Sequence, residues 1–367
     1  MNSREKYNKM LSLEPYKDRR EIPVFPMMLT TCGPIAGKTQ AELFQDVSVW
    51  LDAMEKTFAV IGTPDVAMPI YPEDVVFAMT LPARRPGKEL DENALYQFVE
   101  KPYFEDPAEY KRIYEMGWNA WYYSYVASIQ NPPMTLEQVG ARYQQLGANV
   151  GRIYGHWCQM GIVPAFDATY YPIYDILSLI RSMADFTCDL FDDPGPIMDI
   201  VRKYQPQMDE ENIQRLKAQG GNRIWNCAMR SASVFASPTM FDEYIWPYMK
   251  ASILRFWEAG IYTVLHADSN WLPMLHHFTE LPKGCCHIEL DGATDIFAAY
   301  DILQGCQSIR GDVPSTMFAY QTPEEVAAYC EKLVNMGMKG GFMLSSGCEI
   351  PLNAKPENIK AMMDAVK

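Results

Sequence analysis

The chain has 367 residues, of which 48% are hydrophobic and 21% are charged, and its net charge is −14. This length and composition suit one large domain, and α/β barrels with insertions reach this size. The acidic charge disfavours binding to nucleic acid or to an anionic membrane surface, because both require a basic surface. Partners are therefore expected among small molecules and other proteins.

Targeting and disulfide signals are absent from the sequence. No run approaches the roughly 20 apolar residues that a membrane span needs, and the first residues, MNSREKYNKM, are charged where a signal peptide is apolar. The nine cysteines are scattered and odd in number, which favours reduced thiols over a disulfide framework. We therefore expect a cytoplasmic protein.

Eight short β-rich segments alternate with helical patterns, and eight is the strand count of a closed parallel barrel. The segments are Pro23–Thr30, Val66–Ile70, Ile162–Asp167, Arg223–Met229, Tyr262–Asp268, His287–Asp291, Gln307–Asp312 and Gly341–Ser346. Two helical additions are expected: an N-terminal helix up to Arg20 that covers the barrel floor, and an inserted layer at Pro107–Ile129 and Leu136–Met160. The sequence thus predicts a single α/β domain over residues 1–367, a (β/α)8 TIM barrel with an N-terminal helical extension and a helical insertion between strands 2 and 3.

Several of the predicted helices carry start signals, at Asp193-Pro194, Ser237-Pro238 and Thr322-Pro323. The side chains before these prolines can accept hydrogen bonds from the free N–H groups of a first helical turn. Proline itself suits the first helical position, because the N–H group that it lacks would be unpaired there.

His266 and Asp268 stand two residues apart near the end of the fifth predicted strand, in the sequence TVLHADSNW. Because strand side chains alternate, both point to the same face, which at this end of a barrel strand is the active-site face. An imidazole nitrogen and a carboxylate oxygen are both good ligands for a divalent metal. A hydrogen-bonded structural pair is the alternative interpretation.

Two further groups could complete a metal site. Cys348 follows the last predicted strand in GFMLSSGCEIP, where barrels carry functional groups, although a free loop thiol would give the same pattern. The sixth strand carries His287, Glu289 and Asp291 at alternate positions, so their side chains point to the same face. Glu289 is the better candidate for a metal ligand or for a group that supports one, and His287 is expected to be structural.

Residues at other strand ends are candidates for a substrate pocket. Aromatic and methionine side chains suit a flat apolar ligand, and a few polar groups would orient it. Ordinary barrel packing is the alternative for any one of them. The predicted substrate-binding residues are Phe25, Met27, Tyr170, Tyr171, Asn226, Met229 and Asn270.

Several spaced motifs resemble the uroporphyrinogen decarboxylase superfamily. They are SPTMFDEYIWPYMK at Ser237–Lys250, the pair His266-x-Asp268, the turn Arg310-Gly311-Asp312-Val313 and the ending SSGCEIPLNAKPENIKAMM. More narrowly, the chain is similar to the corrinoid-dependent methyltransferase branch, including O-demethylase methyltransferases. The resemblance extends over nearly the whole chain and is strongest from Ser237 onward.

Methyltransferases of that branch bind zinc through a His-x-Cys pair on one strand and a later cysteine in a Gly-Cys-x-Ile-Pro-like loop. The resemblance therefore implies that His266 and Cys348 are zinc ligands and catalytic residues. Asp268 stands where the branch has its middle cysteine. As a hard carboxylate in place of a soft thiolate, Asp268 would leave a bound zinc more electrophilic. Barrels of this superfamily are often dimers, so a homodimer is also expected.

Porphyrinogen decarboxylases are similar to one another in an arginine-bearing first strand and loop, which hold the carboxylates of the substrate. The equivalent segment here, Pro23–Pro34, contains no arginine. Decarboxylation is therefore less expected than methyl transfer.

The expected reaction is transfer of a methyl group from a methoxylated aromatic substrate to a Co(I) corrinoid, with zinc as the Lewis acid at the ether oxygen. The cobalamin is expected on a separate corrinoid protein, because the binding motif Asp-x-His-x-x-Gly is absent from this chain. Methyl transfer from methylcobalamin to a thiol of the coenzyme M type is the alternative. A barrel that only binds a small apolar ligand is a further alternative.

Overall fold

Short parallel strands form a ring at the centre of the computed structural model, which describes residues 1–367. In chain order, all strands of the protein, including β3 and β4 outside the ring, are β1 (Val24–Phe25), β2 (Val66–Ala67), β3 (Ala83–Arg84), β4 (Gln97–Phe98), β5 (Val163–Pro164), β6 (Ala168–Tyr170), β7 (Arg223–Cys227), β8 (Tyr262–Ala267), β9 (Cys286–Leu290), β10 (Ser308–Val313) and β11 (Phe342–Ser346).

The ring is built from two parallel sheets. One has the order β1-β11-β10-β9-β8-β7-β6, and in the other β2 pairs with β5. The sheets join because the Asp65 N–H donates to the Val24 oxygen at 3.1 Å, and because the Asp167 N–H, between β5 and β6, donates to the Arg223 oxygen at 2.9 Å. The third predicted strand, Ile162–Asp167, contains β5, and β6 begins directly after it. All eight predicted strands are present, and the prediction of a (β/α)8 barrel is confirmed. The antiparallel hairpin of β3 and β4 is not predicted by the sequence.

Helices surround this ring. In chain order, the α-helices are α1 (Ser3–Ser12), α2 (Cys32–Ala36), α3 (Gln40–Leu43), α4 (Val47–Ile61), α5 (Pro72–Ala78), α6 (Ala108–Met116), α7 (Trp118–Ile129), α8 (Leu136–Gln159), α9 (Ile173–Arg181), α10 (Met183–Asp192), α11 (Gly195–Gln219), α12 (Pro238–Met240), α13 (Trp246–Glu258), α14 (Ile296–Leu303), α15 (Ser315–Tyr320), α16 (Pro323–Gly337) and α17 (Pro356–Asp364). Segments of 3-10 helix occur at Arg19–Glu21 and Leu272–Glu280, and a π-helical turn at Phe241–Ile245 joins α12 to α13. None of the helices combines the length and the apolar composition that crossing a membrane requires.

Two of the three helix starts predicted from capping side chains, those at Ser237 and Thr322, are confirmed, whereas α11 begins at Gly195, one residue after Pro194. Thr322 accepts the N–H of Glu325, and the Glu325 carboxylate accepts the N–H of Thr322. Ser237 accepts the N–H of Met240 at the start of α12. These bonds satisfy N–H groups that have no partner inside the helix.

The inserted layer comprises α6, α7 and α8, between β2 and β5. The helical pattern predicted over Pro107–Ile129 is interrupted, because α6 ends and α7 begins at Gly117. This residue has a φ of 91°, a conformation that residues with a Cβ atom rarely adopt. The N-terminal helix α1 covers the barrel floor as predicted, although it ends at Ser12 and not at Arg20. The Tyr7 hydroxyl donates to the Ala165 oxygen there at 3.5 Å.

Candidate metal centre

Three side chains meet where β8 and β11 end. His266 belongs to the end of β8, Asp268 follows that strand directly, and Cys348 lies in the loop after β11. One donor atom from each residue lies within 4.8 Å of the other two. The Nε2 atom of His266 is 3.2 Å from Oδ1 of Asp268. The structure therefore brings together three of the residues that the sequence suggests as metal ligands.

The loop that carries Cys348 is held closely on both sides. A Cβ atom at Gly347 would clash with the backbone oxygen of Asp291, just after β9, so the loop can lie there only because position 347 has no side chain. On the other side, Oε1 of Glu349 accepts the N–H of Thr30 at 2.9 Å. These contacts fix the thiol beside the end of β8.

Glu289, on β9, lies behind the ring of His266. Its Oε2 atom is 3.0 Å from Nδ1 of His266, whereas Asp268 faces Nε2. The same oxygen accepts the indole N–H of Trp225 at 2.8 Å. Glu289 is therefore not one of the three converging donors, and its position corresponds to the alternative in which it supports a metal ligand.

Arg310, on β10, balances the charge of Glu289. Its Nε atom is 2.6 Å from Oε1 of Glu289, and the two side chains are 1% and 2% exposed. The guanidinium also lies 4.6 Å above the ring of Phe25, and its Nη2 atom is 3.6 Å from the sulfur of Met27. Phe25 and Met27 thus reach the barrel interior, where they pack against Arg310.

The charges in the centre are strongly coupled. Burial alone would lower the pKa of His266, but the adjacent Asp268 carboxylate raises it well above its ordinary value. Burial raises the pKa of Asp268, and His266 more than reverses this effect, so the pKa lies below its ordinary value. Burial also opposes the charge of Glu289, yet Arg310 holds the pKa of that carboxyl well below its usual range. A metal ion at Nε2 would have to displace the proton that these carboxylates stabilise.

Aromatic side chains form one wall beside His266. The ring of Trp225 is 5.0 Å from the ring of His266 and stacks on Phe166 at a centroid distance of 4.7 Å with an interplanar angle of 1°. Burial raises the pKa of the Tyr171 hydroxyl, which neighbours Cys227. Tyr171 thus lies next to Cys227, which shares the inner face of β7 with Trp225 because strand side chains alternate.

Asn226 and Tyr170 do not lie in the pocket, which corrects two expectations. Because β7 alternates, Trp225 points inward and Asn226 points toward the surrounding helices, as does Ile224 in the outer cluster. The Tyr170 hydroxyl donates to Oδ1 of Asp209 at 2.5 Å, in the layer between the strands and α11. Both side chains belong to packing outside the barrel.

Met229 and Asn270 are in loops at the C-terminal ends of the strands. Met229 is partly buried against the main core. The side-chain oxygen of Asn270 accepts the N–H of Leu272 at 3.0 Å, and its backbone oxygen accepts the N–H of Ser233 at 3.2 Å. Asn270 thus joins two loops at the rim, and its side chain is occupied by a local bond.

Trp225 and Arg310 are the residues of the centre that sequence analysis missed. Arg310 is paired in register with Glu289 on the neighbouring strand. An arginine in the middle of a predicted barrel strand, Gln307–Asp312, is a signal that could have indicated this pair, because a buried guanidinium requires an acidic partner.

Comparison with known proteins adds three findings. Residues 214–367 match the family described as Uroporphyrinogen decarboxylase (URO-D). The "Methylcobamide:CoM methyltransferase MtbA" of Methanosarcina acetivorans is 28% identical over 127 residues, which are 35% of this chain and 36% of that protein. The solved structure of a "methyltransferase from Methanosarcina mazei" aligns with a TM-score of 0.67 and 13% identity, over 100% of this chain and 98% of the other.

These three similarities cover different parts of the chain. The match to the URO-D family contains β7 to β11 and every residue of the metal centre described above. The curated relative is aligned over 36% of its own length. The structural likeness extends over the whole chain, and at its low identity it supports the barrel fold alone.

Proposed function

We propose that the chain is a zinc-dependent methyltransferase whose ion is held by His266, Asp268 and Cys348. The observation that carries this proposal is the convergence of their donor atoms within 4.8 Å. An imidazole, a carboxylate and a thiolate are the ligand types that zinc accepts, and three protein ligands leave a fourth position for a substrate, as in catalytic sites. The residues present therefore fit the ion.

The proposed reaction transfers a methyl group from a methoxylated aromatic compound to the Co(I) corrinoid of a separate protein. The carbon–oxygen bond breaks with its electron pair on oxygen, and cobalt supplies the pair for the new bond to the methyl carbon. Zinc bound at this centre would supply Lewis acidity toward the ether oxygen. The carboxylate of Asp268 makes the donor set harder, which suits an oxygen leaving group.

Side chains around the centre would bind and orient such a substrate. The stacked pair of Trp225 and Phe166 offers a flat apolar surface beside His266, against which an arene could pack. The Tyr171 hydroxyl, 3.5 Å from the sulfur of Met79, could orient a polar substituent. These side chains would also exclude water from the reacting atoms.

Decarboxylation of a polycarboxylate substrate is less well supported. Arg310, in the barrel interior, is already paired with Glu289 at 2.6 Å. At the rim, Arg230 is paired with Glu100 at 2.9 Å. Guanidinium groups engaged in this way are not free to bind the carboxylates of a substrate.

Methyl transfer to a thiol is the second candidate, and the name of the curated relative favours it. The same three ligands would serve, with a thiol acceptor bound at the open position. Thiol activation prefers a thiolate-rich zinc, whereas this centre offers one thiolate and one carboxylate. We therefore place ether demethylation first.

The two candidates are separated by incubating the zinc-loaded protein with free cobalamins. In one arm, chemically reduced cob(I)alamin is mixed with a panel of methoxybenzenes, and methylcobalamin absorbance is followed. In the other arm, methylcobalamin is mixed with small thiols and its loss is followed. We expect methylcobalamin to form in the first arm, and His266→Ala to abolish it. Activity confined to the second arm would establish the thiol reaction instead.

A further inference from the structure

Arg310 contacts both parts of the candidate metal centre: the histidine side, through Glu289, and the thiol side, through Ser345 on the strand before Cys348. Its Nε atom is 2.6 Å from Oε1 of Glu289, and its Nη1 donates to Oγ of Ser345 at 2.6 Å. The arginine side chain is 1% exposed. Water therefore does not compete with these contacts, and the low polarity of the surroundings strengthens them.

On the first side, Arg310 acts on His266 through Glu289. The Glu289 carboxylate is held by Arg310, by the indole N–H of Trp225 at 2.8 Å and by Nδ1 of His266 at 3.0 Å. A carboxylate at Nδ1 fixes the tautomer and the orientation of the ring. Nε2 is then directed toward Asp268, where an ion would bind.

On the second side, Arg310 acts on the end of β11. Ser345 and Ser346 precede Cys348 by three and two residues. Besides its bond to Ser345, Nη1 of Arg310 donates to the backbone oxygen of Ser346 at 3.5 Å. Oγ of Ser346 accepts the N–H of Met27 at 3.0 Å. These contacts fix the strand end from which the thiol-bearing loop starts.

A purely structural role for Arg310 is the competing explanation, because the guanidinium also packs over Phe25. The two explanations can be separated by replacing Arg310 with lysine. A guanidinium has several donors in one rigid plane and can bind Glu289 and Ser345 together, whereas the single ammonium of lysine cannot reproduce that geometry.

We propose that Glu289 and Arg310 are positioning residues of the metal centre, and that Arg310 couples the histidine side to the thiol side. This inference rests on the proposed function, because it requires an ion bound by His266, Asp268 and Cys348. Glu289 and Arg310 do not themselves bind the ion. They hold the imidazole and the thiol in the relative positions that a single ion needs.

The test uses Co²⁺ as a spectroscopic probe and Zn²⁺ for affinity. Ligand-field bands of Co²⁺ report the geometry of the centre, and a sulfur-to-cobalt charge-transfer band reports ligation by Cys348. Zinc affinity is measured by competition with a chromophoric chelator. The variants are Glu289→Gln, Arg310→Met and Arg310→Lys. The matched control is Asp167→Asn, which removes a buried ion pair with Arg223 of 2.6 Å at the barrel floor.

We expect Glu289→Gln to weaken zinc binding by about 10-fold to 100-fold, the usual effect of losing such a partner. It should shift the ligand-field bands and keep the charge-transfer band. Arg310→Met should weaken binding at least as much and should also reduce the charge-transfer band. Arg310→Lys should recover part of the affinity. Asp167→Asn should change only the stability.

Unchanged zinc affinity and unchanged Co²⁺ spectra in Glu289→Gln and Arg310→Lys would overturn the inference and leave the proposed function intact. These two variants also decide the matter if Arg310→Met does not fold. A wild-type protein that binds no Co²⁺, or binds it without the charge-transfer band, would overturn the proposed function and this inference together.

Discussion

Asp175 is a buried carboxyl whose ionisation should be visible in the stability of the protein. It is 1% exposed, and its two oxygens accept the N–H of Arg230 at 2.7 Å and the hydroxyl of Ser231 at 3.1 Å. Burial raises the pKa of this carboxyl from 3.8 to about 7. Between these values the folded protein retains a proton that the unfolded chain has lost.

The sign and size of the effect follow from this difference. Because the folded pKa is the higher one, the contribution of Asp175 to stability is greatest near pH 4 and falls as the pH rises toward 7. The loss is about 1.4 kcal/mol per pH unit, or about 4 kcal/mol in all, and it levels off at higher pH. Asparagine cannot ionise and keeps an acceptor for Arg230 and a polar partner for Ser231. Asp175→Asn should therefore match the wild type near pH 4 and exceed its stability at pH 8 by up to about 4 kcal/mol.

The assay is urea unfolding of both proteins at several pH values between 4 and 8, with the free energies of unfolding compared at each pH. Asp301→Asn, an exposed residue of α14, removes the same formal charge and serves as the control. Its stability should follow the wild type throughout. If the free energies of unfolding of Asp175→Asn and the wild type differ by the same amount at every pH from 4 to 8, the argument from burial is refuted.

Three further predictions concern the centre and its surroundings. His266→Ala and Cys348→Ala should each lower the zinc content found by elemental analysis, and full zinc retention in both would exclude them as ligands. Asp268→Cys should shift activity from methoxybenzenes toward thiols, because the donor set becomes softer; an unaltered ratio of the two rates would contradict the hardness argument. Tyr170→Phe should lower the free energy of unfolding by about 1–3 kcal/mol, since the buried Asp209 loses a donor, while methyl transfer continues at the wild-type rate. A large loss of activity without loss of stability would instead show that Tyr170 contributes to substrate binding.

Much of the fold could be predicted because barrel strands are short, apolar and separated by helices with clear start signals. The prediction of the helix over Pro107–Ile129 fails at Gly117, since a helical pattern continues on both sides of a residue whose backbone turns away. The hairpin of β3 and β4 has two residues in each strand, too few for an alternating pattern to be recognised.

The metal centre could be predicted in part for a similar reason. His266 and Asp268 are neighbours on one strand, so alternation alone puts them on one face. To place Asn226 and Tyr170, one must know which face of their strands points into the barrel. Alternation shows only which side chains share a face. The contact of Arg310 with Glu289 depends on the register between β9 and β10, which no local pattern reveals.

The centre takes its polar groups from one side of the ring. The imidazole, the carboxylates, the guanidinium and the thiol all come from β8 to β11 and the loops after them, whereas the first strand and the segment after it contribute the apolar side chains of Phe25 and Met27. Substitutions at these apolar residues could therefore alter the shape of the ligand that the barrel accepts while the candidate metal ligands stay as they are. A barrel built in this way can change the ligand that it accepts while its candidate metal centre stays the same.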